Sequence, residues 1–215
     1  MRSRAVIFVN GDLPNPAAVE HLLQNDDLII AADGGLRHLR ALGRLPHMLI
    51  GDLDSVNPGD LSALQTAGVR ILKYPPAKDE TDLELAMNAA LESGADHILL
   101  VGALGGRLDQ TLGNLFLLSD PRFAALDVRL EDGQVEAFLI RNQTDVTGEP
   151  GDTVSLLPLG APAEGVTTDG LQYPLRDETL YPYRTRGISN VLCGSRARVS
   201  LRSGLLLCVH MRQIG

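Results

Sequence analysis

The feature that most limits what this chain can fold into is an alternation. Short apolar runs are separated by stretches with helical period through the first part of the sequence. The runs are Ala5–Val9, Leu28–Ala32, His47–Ile50, Val69–Leu72 and His97–Val101. Between them, Val19, Leu22 and Leu23 mark a helix over 16–24. Leu36, Leu39 and Leu42 mark a second, and Leu61 and Leu64 a third that ends near Gly68. Leu83, Ala86, Met87, Ala90 and Leu91 fall at i, i+3, i+4, i+7 and i+8, a strong helical pattern. A further helix is expected from about Thr111 to Leu118. Strand followed by helix, repeated, predicts a doubly wound, mainly parallel sheet with helices on both faces. Such sheets bind ligands at the carboxyl ends of their strands.

Five polar loops fall at that end. Asn10-Gly11-Asp12 follows the first strand and Asp33-Gly34-Gly35 the second. Glycine there lets a ligand approach the backbone, and a helix start favours an anion. Gly51-Asp52-Leu53-Asp54-Ser55 follows the third strand. Residues two apart on a strand point the same way, so Asp52 and Asp54 reach one loop together. Two such carboxylates suit Mg²⁺, although Asp-x-Asp also caps ordinary turns. Lys78-Asp79-Glu80-Thr81-Asp82 enters the next helix, where acids and a Thr cap equally complement the helix dipole. The last loop, Gly102 to Gln110, holds three glycines, Arg107 and Asp109. It lacks the Gly-Lys-Ser/Thr ending of a P-loop, yet an Arg in a Gly-rich turn fits phosphate oxygens. Each loop has a bland reading; the five together point to one site.

From about Val128 the helical period fades and Gly and Pro punctuate β-rich runs: Thr153–Leu157, Gly165–Thr168, Ile188–Leu192, Ala197–Arg202 and Leu205–Met211. Val199 and Leu201 alternate with Arg198, Ser200 and Arg202, and Ser203-Gly204 makes a turn, so the last two runs read as an antiparallel hairpin. The expected organisation is an α/β domain over 1–132 and a small all-β sandwich over 133–215. A net charge of −8 leaves no basic excess for nucleic acid or an anionic membrane. The short N-terminal apolar run, ended by Asn10-Gly11-Asp12, is too brief for a signal core or a membrane span. Cys193 and Cys208 form no disulfide framework, and the cytoplasm is the expected compartment.

Taken in order, Asp33-Gly34-Gly35, Gly51–Ser55, Thr81-Asp82 and Gly105-Gly106-Arg107-Leu108-Asp109-Gln110 resemble the thiamine pyrophosphokinase family. So do Thr168–Leu175 and Gly187-Ile188-Ser189-Asn190 near the end, and the likeness spans nearly the whole chain. Many bacterial relatives have His where Gln110 stands, and the absence of Trp leaves any aromatic platform to Tyr or Phe.

The resemblance implies an enzyme that moves a pyrophosphoryl group from ATP to the thiamine hydroxyl, giving AMP and thiamine diphosphate. It implies Mg²⁺ on Asp52, Asp54 and Asp82, with Arg107 and Asp109 completing the catalytic set. The nucleotide-binding residues it implies are Asn10, Gly11, Asp33, Gly34, Gly35, Lys78, Thr81, Gly105 and Arg107, in the N-terminal domain. Thiamine is expected on Ser189 and Asn190 of the β domain, in a homodimer whose thiamine site lies near the subunit interface. Three other classes compete with this reading. They are a metal-dependent phosphatase or nucleotidase on the same carboxylates, a non-enzymatic ligand-sensing module, and a dinucleotide dehydrogenase. The last is disfavoured because Gly-x-Gly-x-x-Gly is missing from the first strand-to-helix turn.

Overall fold

The apolar runs of the first part become strands whose side chains are almost wholly withdrawn from water. In β1 (Arg4–Phe8), the residues from Ala5 to Phe8 are fully buried. The computed structural model describes residues 3–54 and 56–213, so Ser55 of the Asp52/Asp54 loop lies outside the described residues. Backbone contacts divide the chain into Met1–Gly133 and Gln134–Gly215.

In the first unit, β1 is followed by a 3₁₀ segment, Pro16–Leu22, and then β2 (Leu28–Ala32). A 3₁₀ turn over Asp33–Gly35 runs into α1 (Leu36–Ala41). Next come β3 (Met48–Gly51), α2 (Pro58–Thr66), β4 (Arg70–Lys73) and α3 (Asp82–Glu92). The unit ends with β5 (His97–Val101), α4 (Leu108–Leu117) and β6 (Asp127–Glu131). Residues 16–22 are 3₁₀ rather than the expected α-helix. The segment opens on Pro16 and buries only Val19, so little apolar surface rewards a longer regular helix. By contrast α3 buries Leu83, Ala86, Met87 and Ala90, the face its period predicts. Thr81 Oγ1 caps it by accepting from Glu84 N at 3.2 Å.

All strand pairs in this unit are parallel, in the order β4-β3-β2-β1-β5-β6. The chain steps outward from β1 to β4, then restarts on the other side of β1 with β5. That reversal puts the topological switch point between β1 and β5, where open α/β sheets form their ligand crevice.

The second unit holds β7 (Val135–Ile140), β8 (Gln143–Thr147), β9 (Thr153–Pro158) and β10 (Ala163–Asp169). These are followed by β11 (Glu178–Leu180), β12 (Asn190–Val191), β13 (Arg196–Ser200) and β14 (Leu206–Met211). They form two antiparallel groups, β12-β9-β14-β7 and β11-β10-β13-β8. The groups share one core, including Phe138, Val154, Leu156, Val166, Val199 and Leu206. The expected hairpin of the last two strands is corrected here. β13 pairs with β8 and β10, while β14 pairs with β7 and β9, so the two strands lie in different sheets. The inside-outside alternation is as predicted, but both inward faces point into the shared core from opposite sides. Ser203-Gly204 therefore makes a corner between sheets. Gly204 takes φ +95°, and a Cβ there would come within 2.6 Å of the Pro162 carbonyl oxygen.

A buried ionisable pair, His210 and Asp152, sits inside this unit. His210 is fully buried, with Nε2 2.9 Å from Asp152 Oδ2 and Nδ1 3.5 Å from Glu136 Oε2. Asp152 also accepts from the amides of Glu149 and Gln213, each at 2.9 Å, and Arg212 reaches Glu136 at 3.8 Å. Glu136 and Asp152 raise the imidazole pKa against the cost of its burial. Burial pulls Asp152 upward, but the two amides and His210 outweigh it and hold the carboxyl below its usual range. The signs differ for the two groups. The contribution of His210 is complete below 6.5 and is lost as pH rises through its raised folded value. That of Asp152 is complete above 3.8 and is lost as pH falls through its depressed folded value. Stability from this pair should therefore be greatest between those limits. Proton NMR should show His210 titrating above 6.5, and His210→Gln should remove part of the alkaline decline in Tm. An imidazole that titrates below the free-histidine value would refute the assignment.

Candidate active site

At the switch point the loops leave no room for side chains. Beyond the sheet, Val9 N still donates to Val101 O at 2.8 Å, Gly11 N to Gly102 O at 2.7 Å and Asp12 N to Leu104 O at 3.1 Å. The β1 and β5 loops are thus zipped backbone to backbone. A Cβ on Gly11 would overlap the Gly102 carbonyl, one on Gly34 the Asn10 carboxamide, and one on Gly35 the Phe8 carbonyl. Close approach, not flexibility, accounts for glycine at these three positions.

The zipped loops border a cleft of about 260 Å³. Its walls include Asn10, Gly11, Asp33, Thr81, Asp82, Gly105, Gly106, Arg107 and Gln110, so several of the loops picked out in the sequence converge on it. Lys78 lies behind this wall, with Nζ 2.9 Å from Asp82 Oδ1. That oxygen is buried and accepts no hydrogen bond, because the ammonium contact is an ion pair without hydrogen-bond alignment. Arg107 and Asp109 form an exposed fork, Nη2 to Oδ2 at 2.6 Å and Nε to Oδ1 at 3.1 Å. The guanidinium holds the Asp109 carboxyl below the usual carboxylate range.

The carboxylates group differently from expectation. Among the described residues, Asp33, Asp52 and Asp54 bring ligand oxygens within 4.8 Å of one another. Asp82, expected with Asp52 and Asp54, is instead held beside Lys78, and Asp33 takes the third place. Backbone geometry explains the difference. Asp33 has φ 43° and Leu53 φ 63°, left-handed conformations that Cβ-bearing residues seldom adopt. Asp33 directly follows β2, and Leu53 lies between Asp52 and Asp54 just past β3, the strand paired with β2. Gly51 assists, since a Cβ there would come within 3.1 Å of Asp33 Cβ.

In the second unit, Ser189 is exposed, has φ 57°, and donates its amide to Ser155 Oγ at 3.0 Å. Asn190 is placed differently. It is 4% exposed, its Oδ1 accepts from Tyr173 N at 2.9 Å, and its Nδ2 donates to Tyr173 O at 2.7 Å. Its carboxamide therefore holds the backbone of the Gln172–Leu175 stretch. The Tyr173 ring remains exposed, as do Tyr181, Tyr183 and Ile188.

Sequence reasoning missed Asn114, His38 and Arg37. Asn114 is buried, lines the cleft and donates Nδ2 to Ala103 O at 2.8 Å, fixing the start of the Gly-rich loop. Its signal was available: Gln110 and Asn114 stand at i, i+4 and share a helix face. The other two carry backbone contacts that no local pattern reports.

Comparison with known proteins identifies the family of both units. Residues 19–130 match the family described as Thiamin pyrophosphokinase, catalytic domain, and residues 140–206 match Thiamin pyrophosphokinase, vitamin B1 binding domain. Thiamine pyrophosphokinase of Bacillus subtilis is 32% identical over 185 residues, covering 85% of this chain and 86% of that protein. Thiamine pyrophosphokinase 1 of rice (Oryza sativa subsp. japonica) is 26% identical, with 97% of this chain and 87% of the relative covered. Among solved structures, the Bacillus subtilis enzyme superposes with a TM-score of 0.87 at 27% identity, over 99% of this chain and 100% of that one. The two matched segments, the curated relative and the shared fold lead to one conclusion: the chain belongs to the thiamin pyrophosphokinase family.

Proposed function

We propose that this chain transfers the pyrophosphoryl group of ATP to the hydroxyl of thiamine, giving AMP and thiamine diphosphate. The observation that carries the proposal is the union, in one family member, of a backbone-walled cleft at the switch point with three facing carboxylates beside it. Asn10, Gly11, Gly34, Gly35, Thr81 and Gly105 supply the polar and glycine surface for the nucleotide. Lys78 and Arg107 supply its positive charge. Pyrophosphoryl transfer asks little covalent chemistry of a protein; positioning and charge stabilisation provide most of the acceleration.

The donor set fits a divalent cation. Oxygen ligands only, three of them converging, suit a hard ion such as Mg²⁺. Asp33, Asp52 and Asp54 would hold it, with Asp82 facing the same cleft. When bound, the ion neutralises phosphate charge that these carboxylates would otherwise repel. Arg107, steered by Asp109, reaches over the cleft mouth to the phosphate oxygens. Ser189 and the exposed Tyr173 ring receive thiamine, and Asn190 holds Tyr173 in place for it. A cytoplasmic homodimer with the thiamine site near the subunit interface completes the proposal, supported by the exposed aromatic surface of Tyr173, Tyr181 and Tyr183. Among the described residues no helix is long and apolar enough to cross a membrane.

The direct test incubates the full chain with ATP, MgCl₂ and thiamine and measures AMP. AMP should form only when thiamine is present, and chelator should abolish it; phosphate release without thiamine would favour a phosphatase. Asp52→Asn and Asp33→Asn should each lower turnover by about two orders of magnitude with no loss of Tm, since each relieves repulsion within the trio. Near wild-type turnover in Asp33→Asn would return the third carboxylate to Asp82.

Asn190→Ala generates a different expectation. Removing the carboxamide leaves the Tyr173 N–H and C=O unpaired, which costs about 1–3 kcal/mol. The variant should therefore melt lower, and its thiamine KM should rise while its ATP KM stays constant. A stable variant with an altered thiamine KM would instead make Asn190 a direct contact.

A further inference from the structure

The zipped loops of the first unit are fastened from behind by α1. His38 is 5% exposed, and its Nε2 lies 3.0 Å from the carbonyl oxygen of Gly11. A carbonyl can only accept, so Nε2 carries the hydrogen and the tautomer is set by this contact. Burial lowers the imidazole pKa, against the pull of the Gly11 carbonyl, so the ring is neutral at physiological pH. Arg37 adds exposed bonds from Nη2 to the same carbonyl at 2.8 Å and to Asn10 O at 3.1 Å.

The same ring edge meets the second loop. A Cβ built on Gly102 would come within 3.2 Å of His38 Nε2 and 2.8 Å of Val9 O. One buried imidazole thus backs both the Asn10–Asp12 loop and the Gly102–Gly106 loop, while the cleft itself is lined by those loops and not by His38. A buried imidazole needs an acceptor for its N–H, and this one finds it on the carbonyl of Gly11, a residue whose own N–H is already bonded to Gly102 O.

We infer that His38 is a positioning residue for the nucleotide: through Nε2–H to the Gly11 carbonyl it sets the backbone of the two loops that face the phosphates. The inference rests on the nucleotide reading of the cleft given above. Gln carries an amide hydrogen at nearly the reach of imidazole Nε2, and Leu fills space without one, so the pair separates the hydrogen bond from packing.

The experiment has two arms. In the first, binding of a non-hydrolysable ATP analogue with MgCl₂ is measured by calorimetry for wild type, His38→Gln and His38→Leu, with no thiamine present. In the second, KM is measured for each substrate at saturating concentration of the other, with a thermal melt for every variant. His38→Leu should weaken analogue binding and raise the ATP KM about five- to tenfold, the net worth of one buried hydrogen bond. Its thiamine KM should stay within about twofold, and His38→Gln should recover most of the loss. If His38→Leu does not fold, Gln against Met carries the same comparison. Equal binding by all variants, or an equal rise in both KM values, would overturn the inference. A wild type that binds the analogue but makes no AMP would sink the proposed reaction alone, since the calorimetric arm still decides the role of His38.

Discussion

The site depends on backbone meeting backbone between β1 and β5. Parallel strands normally part at their carboxyl ends, each loop leaving for its own helix. Here the pairing continues past the sheet through the amides of Val9, Gly11 and Asp12. Continuation at this separation excludes Cβ atoms at Gly11, and the β2 loop packs so closely that Gly34 and Gly35 are excluded likewise. The resulting wall is made of peptide groups. The amides of Val9, Gly11 and Asp12 are spent on this pairing, so the wall is a rigid backbone surface without Cβ atoms, open to close approach.

That wall stands in an acidic molecule, so charge has to be managed locally. Three carboxylates with oxygens inside 4.8 Å repel one another, screened by the water that reaches them. Nothing in local propensity rewards that cost, and two left-handed non-glycine residues add strain to it. By contrast Arg107 is forked to Asp109, Lys78 is paired with Asp82, and Arg122 with Asp120 and Glu84. Arg107, Lys78 and Arg122 thus have acidic partners within the chain, while Asp33, Asp52 and Asp54 lie close to one another.

Period and punctuation carried much of the fold in the sequence. Apolar alternation located β5 and α3 closely, because both are decided by which faces are buried. Pairing was less legible. Val199 and Leu201 report that one face of β13 is inside, but nothing local says which sheet the strand joins, and Ser203-Gly204 serves a corner as well as a hairpin. The site divided in the same way. Asp52 and Asp54 were visible because one strand end delivers both, while Asp33 joins them only through a φ of 43° that an Asp does not advertise. His38 and Asn114 bond to carbonyls of distant loops, so their spacing from those loops carries no periodic signal.

In the second unit, Ser189 and Asn190 are neighbours in the chain but are placed differently by the fold. Ser189-Asn190 reads as a hydrogen-bonding pair offered to a ligand, and Ser189 is exposed as such a reading requires. At Asn190 the side chain does the work of a missing strand neighbour: its carboxamide gives and takes one bond each with Tyr173, as a peptide unit would. The Gln172 amide is meanwhile bonded to Val191 O at 2.9 Å, so the contact extends a backbone ladder by one side chain. The carboxamide matches a peptide group in carrying both a donor and an acceptor, and an acid would lose the donor half. The exposed product of this arrangement is the Tyr173 ring, fixed from beneath through its own backbone. A neutral clamp under an exposed aromatic in this unit, and a neutral imidazole behind the glycine loops in the other, follow one logic. In both, a buried polar side chain spends its hydrogen bonds on the main chain of a neighbouring loop.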